Sequence, residues 1–203
     1  MSNEYREDCF KTLTEKIASA ATLIYTTRAM NDINPKAGRI AFLDVVQFDD
    51  GSIRGGILVT DMETRPLEFR VTSPICPNLM QKILYGAALQ DYVCGELIGQ
   101  PLLKQLQERV NLVLVRDEAL LNARTGSAIP MVRLSQNQQT IENADQRAVT
   151  IHPHREHLDD AARAEPFVAQ ITQRFNIFEP FERIRLALAE VHQKNLDQKR
   201  SRG

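Results

Sequence analysis

Between Arg39 and Leu103 three strand-forming segments stand in a row and lead into a helical block. The segments are Arg39-Ile-Ala-Phe-Leu-Asp-Val-Val-Gln-Phe48, Ile53-Arg-Gly-Gly-Ile-Leu-Val-Thr-Asp61 and Pro66-Leu-Glu-Phe-Arg-Val-Thr72. Asp49-Asp-Gly-Ser52 joins the first two, and its glycine can adopt positive φ, so an antiparallel hairpin is expected. Met62-Glu-Thr-Arg65 joins the second to the third. Gly55-Gly56 inside the second strand marks a bulge or a close backbone approach. Both faces of that strand carry apolar residues, as expected of a strand with helices packed on it.

The remaining chain extends this plan. Tyr5, Cys9, Phe10, Leu13, Ile17, Ala20, Ala21 and Ile24 recur at steps of three and four, predicting an amphipathic helix from Ser2 to about Met30. Asn31 to Pro35 ends it. Residues 78–109 are predicted helical, with breaks at Gly86 and between Gly95 and Pro101. Asn111-Leu-Val-Leu-Val115 reads as a strand, Glu118–Ala123 as a short helix and Ile129–Leu134 as an edge strand because of Pro130. Ser135–Gln146 is polar and reads as a loop, followed by another edge strand at Ala148–Ile151. Residues 159–164, 166–175 and 179–198 look helical, before a basic tail, Lys199–Gly203. The expected class is α/β, with α+β as the alternative. It divides into an N-terminal helix (1–34) packing on the core, a mixed core (35–151) and a C-terminal helical arm (152–203) with a basic tail.

Composition limits the functional classes. The chain has 203 residues, 43% of them hydrophobic, and a formal net charge of -1, so no global field draws it to nucleic acid or anionic lipid. The three cysteines, Cys9, Cys76 and Cys94, are widely spaced and form no C-x-x-C pair, which points to reduced thiols. An acidic N-terminus without an apolar signal core, and no apolar run near the ~20 residues of a membrane helix, lead to the expectation of a cytoplasmic protein.

The order strand-strand-strand-helix-strand resembles the opening of a ribonuclease H-like fold. That resemblance implies carboxylates on the first strand, the following helix and the end of the fourth strand, holding divalent metal for phosphodiester hydrolysis. Asp44, Glu96 and Asp117 are the residues at those places. Clustered carboxylates suit Mg2+ or Mn2+, and paired ions can stabilise both attacking and leaving oxygens. His152, His154 and His157 form an H-x-H-x-x-H cluster, read here as a polar surface connection rather than a zinc site. Cys76 reads as a buried thiol, and Glu68 with Arg70 as an ion pair on the solvent side. Neither a nucleophile elbow nor a phosphate loop is present.

Gly55-Gly-Ile-Leu-Val-Thr-Asp, Arg65-Pro-Leu-Glu-Phe-Arg, Leu84-Tyr-Gly, Gly95-Glu-Leu-Ile-Gly and Glu179-Pro-Phe-Glu-Arg-Ile together resemble an uncharacterised bacterial protein family. The resemblance spans most of the chain and implies no activity. The C-terminal arm carries four of the eight phenylalanines between Phe167 and Phe181. Phe175, Phe178, Phe181 and Ile184 are therefore the expected interaction residues, if other helices already cover the sheet. The preferred sequence reading is a non-catalytic accessory or scaffold subunit of a bacterial multiprotein system, without cofactor, acting through a protein partner or as a homo-oligomer. The alternative is a nuclease dependent on Mg2+ or Mn2+, with nucleic acid as partner and Asp44, Glu96 and Asp117 as its catalytic carboxylates.

Overall fold

The computed structural model describes the backbone of Leu23–Tyr25, residues 38–136 and residues 149–200, with side chains in the last stretch described to residue 195. Among the described residues, seven strands form one sheet in the order β1-β4-β3-β2-β5-β6-β7. They are β1 (Leu23–Tyr25), β2 (Ile40–Gln47), β3 (Ile53–Thr60), β4 (Pro66–Val71), β5 (Leu112–Val115), β6 (Met131–Gln136) and β7 (Val149–Pro153). β2, β3 and β4 make the expected antiparallel meander, and Gly51 takes φ +77° in its first turn. The chain then crosses over to place β5 parallel to β2, and β6 parallel to β5. Within β4-β3-β2-β5-β6 only β3 runs against the rest. This order and polarity make the fold ribonuclease H-like, a mixed sheet with helices that falls to the α+β alternative.

The helices are α1 (Leu79–Tyr85), α2 (Ala88–Asp91), a π-helix (Tyr92–Gly99), α3 (Gln100–Lys104), a 3-10 helix (Glu118–Gly126), α4 (Asp159–Thr172) and α5 (Glu179–Arg200). They cover both faces of the sheet. Ile40, Phe42, Leu112, Leu114 and Val132 meet Val168, Ile171, Phe181, Ile184 and Leu188 of α4 and α5. Ala41, Leu43, Ile57, Val59 and Val113 meet Val93, Ile98, Leu102 and Leu120 on the opposite side. Alternation along β2 thus sends its even positions towards α5 and its odd positions towards the π-helix.

Glycines set the spacing of these layers. A Cβ on Gly55 would lie 2.0 Å from Cγ2 of Ile98, and one on Gly56 would lie 2.9 Å from Cγ2 of Ile184. The Gly55-Gly56 pair is therefore a close approach on both faces, and the register shift of this strand lies instead between Val59 and Thr60. Gly95 and Gly99 do not break the helix as the sequence suggested. They let it press against Asn122 and Ala123 of the 3-10 helix, at 2.8 and 2.5 Å from the missing Cβ atoms.

Several other expectations change. Residues 23–25 pair with β4, so the N-terminal helical pattern stops short of Met30; the rest of that predicted helix lies outside the described residues. β6 begins after Pro130 and is internal, because β7 forms the edge. Pro166 sits inside a single helix, α4, rather than between two. The polar loop and the basic tail lie largely outside the described residues. Glu68 and Arg70 are not on the solvent side: each is 3% exposed and they pair with one another. Glu68 also accepts from the backbone N–H of Gln107 and Glu108, at 3.0 and 2.9 Å from Oε2.

A second buried pair joins the 3-10 helix to α4. Arg124 donates from Nε to Asp160 at 2.6 Å, and Asp160 also accepts from the Met131 backbone at 3.0 Å. Burial raises the Asp160 pKa, but the Arg124 hydrogen bond and Met131 N–H outweigh it and leave the carboxyl below its ordinary value of 3.8. Stability from this group is present above the unfolded pKa and is lost as pH falls through the lower folded pKa.

Two measurements test these packing arguments. Gly55→Ala should destabilise by about 1–3 kcal/mol in urea unfolding, because Ile98 has no free space into which to move. Asp160→Ala should lose about 3–5 kcal/mol at pH 7 by leaving Arg124 without its buried partner. That loss should shrink as unfolding is measured progressively below pH 3.8.

Candidate functional site

The sheet reverses its order of connection between β2 and β5: β2 leads to β3 on one side, and β5 leads to β6 on the other. A crevice opens beyond the carboxyl ends of strands at such a point. Leu43 and Val115 are the last paired residues of this parallel ladder. The next residues, Asp44 and Arg116, project to the α5 face, whereas Asp117 projects to the opposite face. Register alone therefore brings a carboxylate and a guanidinium together.

Asp44 is 4% exposed. Its Oδ2 accepts from Nη2 of Arg116 at 3.2 Å, and its Oδ1 accepts from the Val45 backbone at 3.0 Å. Nη1 of Arg116 donates to Oε1 of Glu182, in the first turn of α5, at 2.8 Å. The same guanidinium lies 5.3 Å from the centre of the Phe181 ring. One cation is thus held between two carboxylates and an aromatic face. Burial raises the Asp44 pKa. Arg116, the Val45 N–H and Arg185 oppose that rise, while the Asp117 charge adds to it, and the net shift remains upward. Beside the triad lies a cleft of about 490 Å3, lined by Arg116, Leu134, Gln136, Asn176, Phe178, Glu179 and Glu182.

The other two sequence-predicted carboxylates have different surroundings. Asp117 caps the 3-10 helix, accepting from the Ala119 backbone at 2.9 Å and from Nε2 of Gln90 at 3.3 Å. Glu96 is exposed on the π-helix. Among the described residues, no group of three or more His, Cys, Asp or Glu side chains is placed to hold a metal ion. Asp44, Glu96 and Asp117 thus form no such group among the described residues, although the Asp117 charge acts on Asp44. The carboxylate that does meet the Asp44 network is Glu182. It was missed because a glutamate in a helix's first turn is explained by the helix dipole alone.

The remaining candidates resolve as follows. His152 hydrogen-bonds with Ser135 at 2.8 Å, and the buried His154 lies 5.6 Å, ring centre to ring centre, from His157. These are structural contacts on β7 and the turn after it. Cys94 is buried, and burial, with Asp117 and Asp91, pushes its thiol up to about 12, so it is no nucleophile at neutral pH. Cys76 is exposed, contrary to expectation. Phe181 and Ile184 are 0% exposed in the core and offer no partner surface, because they are what covers the sheet. Phe178 is half-buried, and Phe175 alone of the four is exposed, at 37%.

No family model and no curated protein sequence matches the chain. Among solved structures it is similar to human ENDOV, at 13% identity, covering 93% of this chain and 99% of that one, with a TM-score of 0.48. It is also similar to the catalytic domain of human endonuclease V, at 13% identity, with 97% and 99% covered and a TM-score of 0.44. A third is Ciona intestinalis endonuclease V in complex with an inosine-containing DNA, at 11% identity, with 73% and 64% covered and a TM-score of 0.29. Among the described residues no helix is long and apolar enough to cross a membrane.

The triad makes a definite prediction. Arg116→Met should raise the Asp44 pKa further, since the guanidinium opposes the effect of burial. Its destabilisation should be largest above the new Asp44 pKa, where a buried carboxylate has lost its partner, and should fade at lower pH. NMR titration of the Asp44 carboxyl, with urea unfolding across the same pH range, checks both statements.

Proposed function

We propose that this chain is a divalent-metal-dependent nuclease acting at the crevice between β2 and β5. The observation that carries this reading is the Arg116 guanidinium held between Asp44 and Glu182. A position that holds one cation between two carboxylates has the donor chemistry for another. Mg2+ is commonly bound by one or two carboxylates, with water and substrate phosphate completing its shell. Asp44 and Glu182 would hold the ion, which would supply Lewis-acid stabilisation of charge on the phosphoryl oxygens. Arg116 and Arg185 add positive charge at the same crevice, where it favours a phosphodiester backbone. Burial of Asp44 raises its pKa, so ion binding should strengthen as pH rises and the carboxyl ionises. Glu96 and Asp117 fall outside this pair and are not assigned catalytic roles.

A second reading, a non-catalytic accessory or scaffold subunit, is favoured by the same guanidinium. A triad satisfied by its own arginine needs no metal to compensate Asp44.

Cleavage assays on the full chain separate the two. Labelled single-stranded and duplex DNA and RNA would be incubated with Mg2+ or Mn2+, and with EDTA as control. The nuclease reading expects metal-dependent cleavage that falls by on the order of 100-fold in Asp44→Asn and in Glu182→Gln, about 3 kcal/mol of transition-state stabilisation. Glu96→Gln should stay close to the parent. Absence of cleavage on all four substrates, in protein shown to be folded by circular dichroism, would leave the scaffold reading.

A further inference from the structure

Helix α1 is well capped yet has no buried residue. Asn78 accepts from the Gln81 backbone while the Gln81 side chain accepts from the Asn78 backbone, a reciprocal cap that fixes the helix start. Leu79, Met80, Ile83 and Leu84 are 73, 61, 66 and 67% exposed. So much apolar surface in one place marks a binding face. At its foot is a small cleft of about 160 Å3, lined in part by Cys76, Gln81, Tyr85, Leu89, Tyr92 and Leu97. The Tyr85 and Tyr92 rings stack there at 4.7 Å.

The path of the chain says what arrives at this face. β1 runs antiparallel to β4, with Leu23 opposite Val71 and Tyr25 opposite Phe69. β1 is thus entered at the Val71 end of β4, the end from which the connector 72–78 leads into α1. The sequence before β1 carries its own apolar pattern: Tyr5, Cys9, Phe10, Leu13, Ile17, Ala20 and Ala21 at steps of three and four. An amphipathic segment of this kind gains its stability by burying that stripe against another surface. As a helix it would be about 25 Å long, against about 10 Å for α1, ample to cover it.

We propose that residues 5–21 of this chain dock on the exposed face of α1, through Leu79, Met80, Ile83 and Leu84. The face is an intramolecular seat for the N-terminal segment. This assignment is independent of the nuclease reading, since α1 contributes nothing to the Asp44 crevice.

Disulfide trapping in the full chain tests it. In a Cys76→Ser background, Met80→Cys, Ile83→Cys and Leu84→Cys would each be combined with native Cys9. In a background also carrying Cys9→Ser, each would be combined with Leu13→Cys or Ile17→Cys. After mild oxidation, the products would be read by non-reducing electrophoresis and peptide mass mapping. The expected result is a monomeric species with an intramolecular disulfide in at least one pair, its yield unchanged on tenfold dilution. A dimeric disulfide that disappears on dilution would overturn the proposal in favour of a second copy. Failure of every pair to cross-link would overturn it in favour of an external occupant. Leu13→Asp supplies an independent reading: it should accelerate maleimide labelling of Leu84→Cys, and an unchanged labelling rate would count against docking.

Discussion

The three-layer packing depends on two adjacent residues without side chains. Gly55 and Gly56 point to opposite faces of β3, one towards Ile98 of the π-helix and the other towards Ile184 of α5. A strand covered on both sides ordinarily separates its layers by the size of its side chains. Here the backbone itself is the contact surface, so both helical layers settle close to the central strands. The close seat of α5 also brings Glu182 to the carboxyl end of β5, within reach of Arg116.

The geometry of the candidate site follows from strand pairing more than from any local motif. Parallel pairing of β2 and β5 stops at Leu43 and Val115, and the next step must set Asp44 beside Arg116 on one face and Asp117 on the other. Asp44 and Asp117 are thereby divided between the two faces. The crevice receives its second carboxylate from α5 instead. Interactions among Asp44, Arg116, Glu182 and Phe181 join residues from β2, the end of β5 and α5, and no single stretch of sequence contains them.

The meander was legible because β-branched residues and the Asp49–Ser52 turn supply local signals. The C-terminal helices were legible from their 3.6-residue period. Less legible was what packing decides. Gly95 and Gly99 looked like helix breakers, but they serve a π-helix pressed on Asn122 and Ala123. Phe181 and Ile184 looked like surplus apolar surface, yet they fill the space over Phe42, whose ring meets Phe181 edge-on at 5.3 Å. Glu68 and Arg70 alternate as solvent-facing residues do, and only tertiary structure reveals the backbone donors that satisfy Glu68. Glu182 had no local signal at all.

Glu68 also ties distant parts of the chain together. Its carboxylate gathers the N–H groups of Gln107 and Glu108 at the point where the crossover turns back towards β5. Arg39, just before β2, pairs with Glu108 and donates its backbone N–H to Asn111 at 2.8 Å. These contacts span 39 to 72 residues of sequence, whereas the meander closes through short turns. The entropy of closing the long loop is recovered only if its landing place already exists. Loop-closure cost alone therefore favours a meander that forms before the parallel half of the sheet docks on it.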